Sequence, residues 1–312
     1  MRHRLNGILV VDKPANMTSA KVVARVKKLI GAGKAGHAGT LDPFATGVLV
    51  CCLNDATKLC RFLLRGKKKY VAVIHLGIET DTQDFTGNII STSDKTTFSD
   101  KKLRLTFKQF EGAAKQLPPV YSALKHKGVP LYKLARRGKP VQKEARSIFI
   151  SYIKILEINL PLIRFEVLCS AGTYIRTLCA DIGAVLGCGG CLKELRRIES
   201  SGFAIKEAAT LPEMEDLHLS HKLSDRLISM SDALQYMPKY IADNVLTDKL
   251  KHGGIISRQD IIPQQTNIHE DFIKIVDAND DLIAILNLEK DSNIYHYCCV
   301  FPRRDIIEGL RD

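Results

Sequence analysis

Apolar positions along the chain fall in short blocks with two different periods. Leu5-Asn6-Gly7-Ile8-Leu9-Val10-Val11-Asp12 is a mostly apolar run with β-branched residues, and it predicts a buried strand. Lys13-Pro14-Ala15-Asn16-Met17-Thr18-Ser19 predicts a turn. Beyond it, Val22, Val23, Val26, Leu29 and Ile30 recur at helical spacing, with Thr18 or Ser19 as N-cap and Gly31 as the stop. Val48-Leu49-Val50-Cys51-Cys52-Leu53 predicts a second buried strand, Asp55 to Leu64 a short amphipathic helix, and Tyr70 to Gly77 another strand.

The polar residues from about 88 to 98 predict a variable loop. Leu105, Phe107, Phe110 and Ala114 predict a helix over Leu103 to Leu117. Phe149 to Ile158 and Leu162 to Ser170 predict two strands. A helix capped by Thr173 follows, carrying Leu178, Ile182 and Val185 up to Gly187. A further helix is predicted near Leu227 to Met237. Ile241 to Asp312 separates as a small module with one helix (Val245 to His252), Gly253 and Gly254, two strand-like runs (Phe272 to Val276, Leu282 to Leu288) and Val300-Phe301.

Composition narrows the class. The 312 residues suffice for one large domain plus a small one, or for two medium ones. With 45% hydrophobic and 26% charged residues the chain reads as a soluble globular protein. No apolar run reaches the roughly 18 residues of a membrane span. Met1 to Leu5 leads straight into the first predicted strand, without a signal-peptide pattern. No membrane partner is expected. The net charge of +12 points to a polyanion such as nucleic acid, without separating DNA from RNA. Nine cysteines, several of them in apolar runs (Cys51, Cys52, Cys169), suit free thiols in a reducing cytoplasm. Cys188 and Cys191 have CxxC spacing, but no second pair completes a zinc site, so no metal is expected. Neither a phosphate-cradling loop nor a dinucleotide fingerprint occurs, and no cofactor is expected.

Candidate chemistry concentrates in Gly36 to Leu49, which holds three glycines, one proline and a single acid. Asp42 sits on a shaped loop entering a core strand, where a carboxylate is held rigidly yet stays reachable. Asp42-Pro43 equally fits an ordinary turn, and spacing does not choose. Asp81 and Asp84, within Thr80 to Gly87, read as loop-shaping acids, since no further oxygen-ligand spacing accompanies them. Lys125, His126, Lys127, Lys133, Arg136, Arg137, Lys139 and Lys143 interleave with Tyr121 and Tyr132. Cations bind phosphates and rings stack on bases, so this stretch predicts RNA contact; a solvated helix face is the alternative. Arg176 falls in the first turn of a helix, where the macrodipole disfavours a cation, which points to a specific partner.

The loop His37-Ala38-Gly39-Thr40-Leu41-Asp42-Pro43-Phe44-Ala45-Thr46-Gly47 resembles the catalytic loop of the TruB family of tRNA pseudouridine synthases. Lys13 to Ser19 resembles the family's first motif, with Asn16 where glycine is usual; asparagine tolerates positive φ, so the turn survives. Lys68-Lys69-Tyr70, Thr80 to Gly87, Pro118 to Lys125, Tyr132 to Gly138, Gly172 to Leu178 and Leu192 to Arg197 match further family stretches in order. The resemblance is close over residues 6 to 210 and faint beyond.

The resemblance implies an α+β fold, a mixed and mostly antiparallel sheet flanked by helices, with a small PUA-like C-terminal module. It implies a catalytic domain over 1–240, an RNA-gripping insertion at about 116–146, and a C-terminal domain over 241–312. Uridine at position 55 in the T loop of tRNA is then isomerised to pseudouridine: the C1′–N1 bond breaks, the base rotates, and C5 rejoins. Asp42 is implied as the catalytic carboxylate, adding to the base or to C1′ or assisting glycal formation. Arg176 is its implied partner, and a guanidinium lowers a carboxylate pKa by about 1–3 pH units, which is expected to keep Asp42 ionised. Tyr70 is implied to pack against the uracil, its hydroxyl a candidate for removing the C5 proton. Leu195 is implied to line the pocket, and His37 to stack in the vacated space or hold the flipped nucleotide. Tyr121, Lys125, Tyr132 and Arg136 are implied RNA contacts, whereas Lys13 supports the fold. The expected partner is the tRNA T arm, met by a cytoplasmic monomer without guide RNA. Competing readings are a guide-RNA-dependent member of the same superfamily, a non-enzymatic RNA binder or folding chaperone, and an RNA-independent hydrolase. The hydrolase leaves the +12 charge unexplained.

Overall fold

The computed structural model describes residues 5–261, 272–288 and 293–301. In chain order the first half runs β1 (Gly7–Lys13), α1 (Ser19–Ile30), β2 (Ala35–His37), β3 (Thr46–Leu53), α2 (Cys60–Leu63), β4 (Lys68–Leu76), β5 (Ile78–Thr80), β6 (Ile89–Thr92), α3 (Asp100–Lys108), β7 (Gly112–Gln116), β8 (Lys125–His126), β9 (Val129–Pro130) and α4 (Leu131–Ala135). The second half runs β10 (Arg146–Asn159), β11 (Leu162–Cys169), α5 (Ile175–Leu186), β12 (Gly190–Ser200), β13 (Phe203–Ala204), α6 (Leu211–Leu219), β14 (Lys239–Ile241), α7 (Asn244–Lys251), β15 (Ile256–Ser257), β16 (Phe272–Val276), β17 (Leu282–Leu288) and β18 (Ile294–Val300).

A large sheet orders its strands β1-β3-β12-β4-β11-β10-β7, with β2 on β3 and β13 on β12. Every pairing is antiparallel except β3 with β12, as the mixed sheet expected from the sequence requires. The unbroken apolar runs of β1 and β3 are explained by burial on both faces. Ile8, Val10, Val48 and Val50 face one core, while Leu9, Val11, Leu49 and Cys51 face another, closed by Val22, Val23 and Val26 of α1 and Met214 of α6. At the other end of the sheet, α3 and α5 bury Leu103, Phe107, Leu178 and Ile182 against Ile74, Ile163 and Phe165.

A second, five-stranded sheet, β14-β16-β17-β18-β15, carries its own core with α7. It is more than an appendage. Val276, Leu282, Ile285 and Phe301 join Ile8, Val10, Val48 and Val50 in one continuous core. Residues 262–271, 289–292 and 302–312 of the expected C-terminal module lie outside the described residues.

Four local expectations are corrected. The helix predicted over 103–117 ends at Lys108; Gly112 adopts φ 96°, and β7 adds to the sheet edge beside β10. No α-helix occupies 227–237, because Ile228 exchanges both backbone hydrogen bonds with Ile8 of β1 and is held extended; short 3-10 turns lie before it at Leu223–Arg226 and after it at Asp232–Leu234. The polar stretch 88–98 contains β6, paired with β5. Thr173 is not the cap of α5: its hydroxyl donates to the Ser170 carbonyl, and Tyr174 occupies the cap position.

Candidate active site

The loop from His37 to Thr46 is fixed from three sides. Thr18 caps α1 by accepting from Lys21 N, which leaves the Ser19 hydroxyl free to bridge the loop. Ser19 Oγ accepts from Leu41 N at 2.9 Å and donates to Leu41 O at 3.1 Å. Lys13, fully buried, donates from Nζ to the carbonyls of Pro14 (2.8 Å), Met17 (2.7 Å) and Pro43 (3.0 Å). Arg197, equally buried, donates to Val48 O (2.7 Å), Gly39 O (2.9 Å) and Thr40 O (3.5 Å). Two buried cations thus tie the loop carbonyls of Gly39, Thr40 and Pro43 to β1 and β12. Gly47 lies against Arg197, whose carbonyl oxygen a Cβ there would meet at 2.1 Å, so the β3–β12 contact requires glycine.

This clamp presents Asp42 to Arg176. Arg176 Nε lies 3.0 Å from Asp42 Oδ2, and Nη1 lies 3.5 Å from Asp84 Oδ2. The guanidinium also donates to the carbonyls of Thr82 (3.1 Å) and Tyr121 (2.9 Å). The partner that the misplaced cation called for is therefore a pair of acids. Asp84 does shape its loop, accepting from Thr82 and Thr86, but it also divides the charge of Arg176 with Asp42. This reverses the expected direction of the Asp42 pKa. Burial raises it, the nearby Asp84 adds to the rise, and Arg176 and Lys13 only partly oppose them. The Asp42 side chain nevertheless keeps 34% exposure at the cavity wall.

The cavity measures about 500 Å³ and is lined by Asp42, Tyr70, Arg176 and Leu195 together with Lys68, Arg197 and Leu124. Strand alternation gathers much of this wall. Lys68 and Tyr70 are alternate residues of β4, Leu195 and Arg197 alternate residues of β12, and Tyr70 stands opposite Arg197 in register. All four are buried. Burial pushes the Tyr70 phenol up, with the Arg197 guanidinium opposing. The same burial pushes the ammonium groups of Lys13 and Lys68 down to about 8.

The remaining predicted residues lie apart from this wall. His37 is on β2, outside the cavity lining; its Nδ1 is buried without a hydrogen-bond partner, and burial lowers its pKa. Tyr121 meets Arg176 through its backbone carbonyl, and the following residues Ser122, Ala123 and Leu124 close one side of the cavity. Lys125 is exposed on β8, and Arg136 is exposed with its guanidinium over the Tyr132 ring at 5.7 Å. Sequence reasoning missed Ser19, Asp84, Lys68 and Arg197 as site residues. Burial of a lysine and an arginine is a strong signal, but it exists only in the folded chain. Among the described residues no group of three His, Cys, Asp or Glu side chains could hold a metal ion. No helix among them is long and apolar enough to cross a membrane.

A model of the N-terminal domain of TruB family pseudouridylate synthases matches residues 27–175, and a model of the tRNA pseudouridylate synthase B C-terminal domain matches residues 176–235. The tRNA pseudouridine synthase B of Syntrophotalea carbinolica is 46% identical over 250 residues, 80% of this chain and 80% of that protein. That of Alkaliphilus oremlandii is 45% identical over 266 residues, 85% of this chain and 87% of that protein. Among solved structures, a chain of an H/ACA ribonucleoprotein bound to a substrate RNA containing 2′-deoxyuridine superposes with a TM-score of 0.74 at 27% identity, covering 96% of this chain and 86% of that one.

Proposed function

The chain belongs to the TruB pseudouridylate synthase family and isomerises uridine to pseudouridine in tRNA; we propose that its target is position 55 in the T loop, attacked with Asp42. One observation carries the assignment: a single acid on a loop held by three clamps, paired with a buried arginine, at the wall of a cavity of about 500 Å³. The base must leave the stack to enter, and a loop nucleotide does so at lower cost than a paired one. Asp42 acts at the sugar–base junction, Arg176 orients it, and Leu195 and Tyr70 hold the uracil. Burial keeps the Tyr70 phenol protonated, which favours packing over proton removal by a phenolate.

The insertion at about 116–146 is assigned to the T arm, its exposed lysines and arginines meeting phosphates and its tyrosines meeting bases. The enzyme works as a monomer without guide RNA, with catalysis in residues 1–240 and a PUA-like module in 241–312. Nine free thiols suit a reducing cytoplasm.

The test is tritium release from T-arm RNA labelled with [5-³H]uridine, without cofactor or guide RNA. Wild type is expected to release tritium. Asp42→Asn is expected to fold and bind RNA yet lose at least about 10⁴-fold in rate. Substantial turnover by Asp42→Asn overturns the nucleophile. No release by wild type, with tight RNA binding, moves the protein to a guide-dependent or chaperone role.

A further inference from the structure

Building on the pseudouridine synthase reading, we propose that Lys68, seated beside Arg197, is a further catalytic residue that stabilises the uracil anion while it is detached from the ribose. Whether Asp42 attacks C1′ or assists glycal formation, the electron pair of the broken C1′–N1 bond stays on N1. The free base therefore carries a full negative charge until C5 bonds to C1′; the proton of C5 then leaves as N1 gains one. A cleft that performs this step needs fixed positive charge where the base sits.

Lys68 and Arg197 supply it. They line the cavity on the same face of β4 and β12 as Tyr70 and Leu195. Lys68 is 6% exposed and Arg197 1%. Lys68 Nζ donates to the carbonyls of Leu64 and Gly66, each at 2.6 Å, which uses two of its three protons. Among the described residues neither cation forms a salt bridge, whereas Arg176 has two carboxylates. Two adjoining buried cations without a counter-charge cost stability, and an anion in the cavity removes that cost. Gly39 borders both cations: a Cβ there would lie 3.5 Å from Arg197 Nη1 and 3.8 Å from Lys68 Cε.

The experiment compares single-turnover consumption of the target nucleoside in T-arm RNA carrying uridine or 5-fluorouridine. Fluorine stabilises the detached anion, so the fluorinated base needs less help. Lys68→Met is expected to slow uridine consumption by about 10²–10³-fold at near-normal RNA affinity. On the fluorinated RNA the deficit should shrink about tenfold or more, and Lys68→Arg should recover most of the uridine rate. Equal slowing on both RNAs, or slowing explained by weaker binding, overturns the proposal and leaves Lys68 as a brace for the 64–66 turn. If Lys68→Met does not fold, wild type alone decides. Lys68 loses its charge near pH 8 beside Arg197 of β12, Cys169 of β11, and Asp42 and Arg176 across the cavity. The uridine rate should then fall more steeply above that pH than the fluorouridine rate; parallel profiles overturn the proposal. Absence of pseudouridine from wild type overturns the underlying reading instead.

Discussion

The catalytic loop and the basic insertion are both irregular, yet they are built to opposite rules. Between Gly39 and Pro43 the carbonyls of Gly39, Thr40, Leu41 and Pro43 and the amide of Leu41 meet fixed partners from Lys13, Ser19 or Arg197, and the acid at its tip meets Arg176. Between 117 and 145 the chain is held by a two-residue hairpin, one turn of helix burying Leu131 and Ala135, and scattered bonds such as those from Gln142 to Pro118 O and from Arg176 to Tyr121 O. Its Lys125, Lys127, Lys133, Arg136, Arg137 and Lys139 are exposed, and among the described residues none forms a salt bridge. A nucleophile gains from preorganisation because its geometry must be right before the reaction starts. Phosphate-binding cations gain from staying unpaired, since their partner arrives with the RNA.

The contrast can be broken at its strongest point. Arg176→Met leaves Asp84, 5% exposed, and Asp42 without their shared cation, and should lower unfolding free energy by about 3–5 kcal/mol in urea titrations. A loss under 1 kcal/mol would show that the acids rearrange freely and the loop is not preorganised. Neutralising Lys125, Lys127 and Arg136 together should leave stability unchanged, weaken T-arm binding, and reduce its salt slope by about 2–3. An unchanged slope would take the insertion off the RNA. Ser19→Ala leaves the buried amide and carbonyl of Leu41 unpaired and should cost about 1–3 kcal/mol of stability, together with some turnover. Lost stability with full turnover would separate folding of the loop from its catalytic shape.

The smallest effect is a shift in pH. Asp42 must be ionised to act, and its pKa is raised by burial, so activity should fail on acidification at a higher pH than for an ordinary aspartate. The folded state then binds more protons than the unfolded chain between the two pKa values. Stability contributed by Asp42 therefore falls as pH rises through the window in which activity appears. An acid limb at the ordinary aspartate pKa would mean that Arg176, rather than burial, sets the charge.

The loop around Asp42, the capped helix α1 and the buried strands β1 and β3 were legible because glycine, proline, capping residues and unbroken apolar runs act locally. The end of α3 was not: Phe110 and Ala114 extend its helical spacing, and only the sheet edge offered by β10 makes Gly112–Gln116 a strand. The helix expected near 227–237 failed for a related reason, since the pairing of Ile228 with Ile8 spans most of the chain. At the site, Asp42 and Arg176 stood out through motif and misplaced charge. Asp84 looked like a turn residue because its second role depends on a cation 92 positions away. Lys68 and Arg197 looked like ordinary basic residues because alternation places them on the cavity face only once β4 and β12 pair.

The core shared by the two sheets has a consequence for biosynthesis. Val276, Leu282, Ile285 and Phe301 share one core with Ile8, Val10, Val48 and Val50 and with Leu59 and Leu63. The core of the strands that frame the catalytic loop is therefore completed by residues far along the chain. A product shortened before Val276 should leave that core incomplete and present apolar surface to chaperones and proteases.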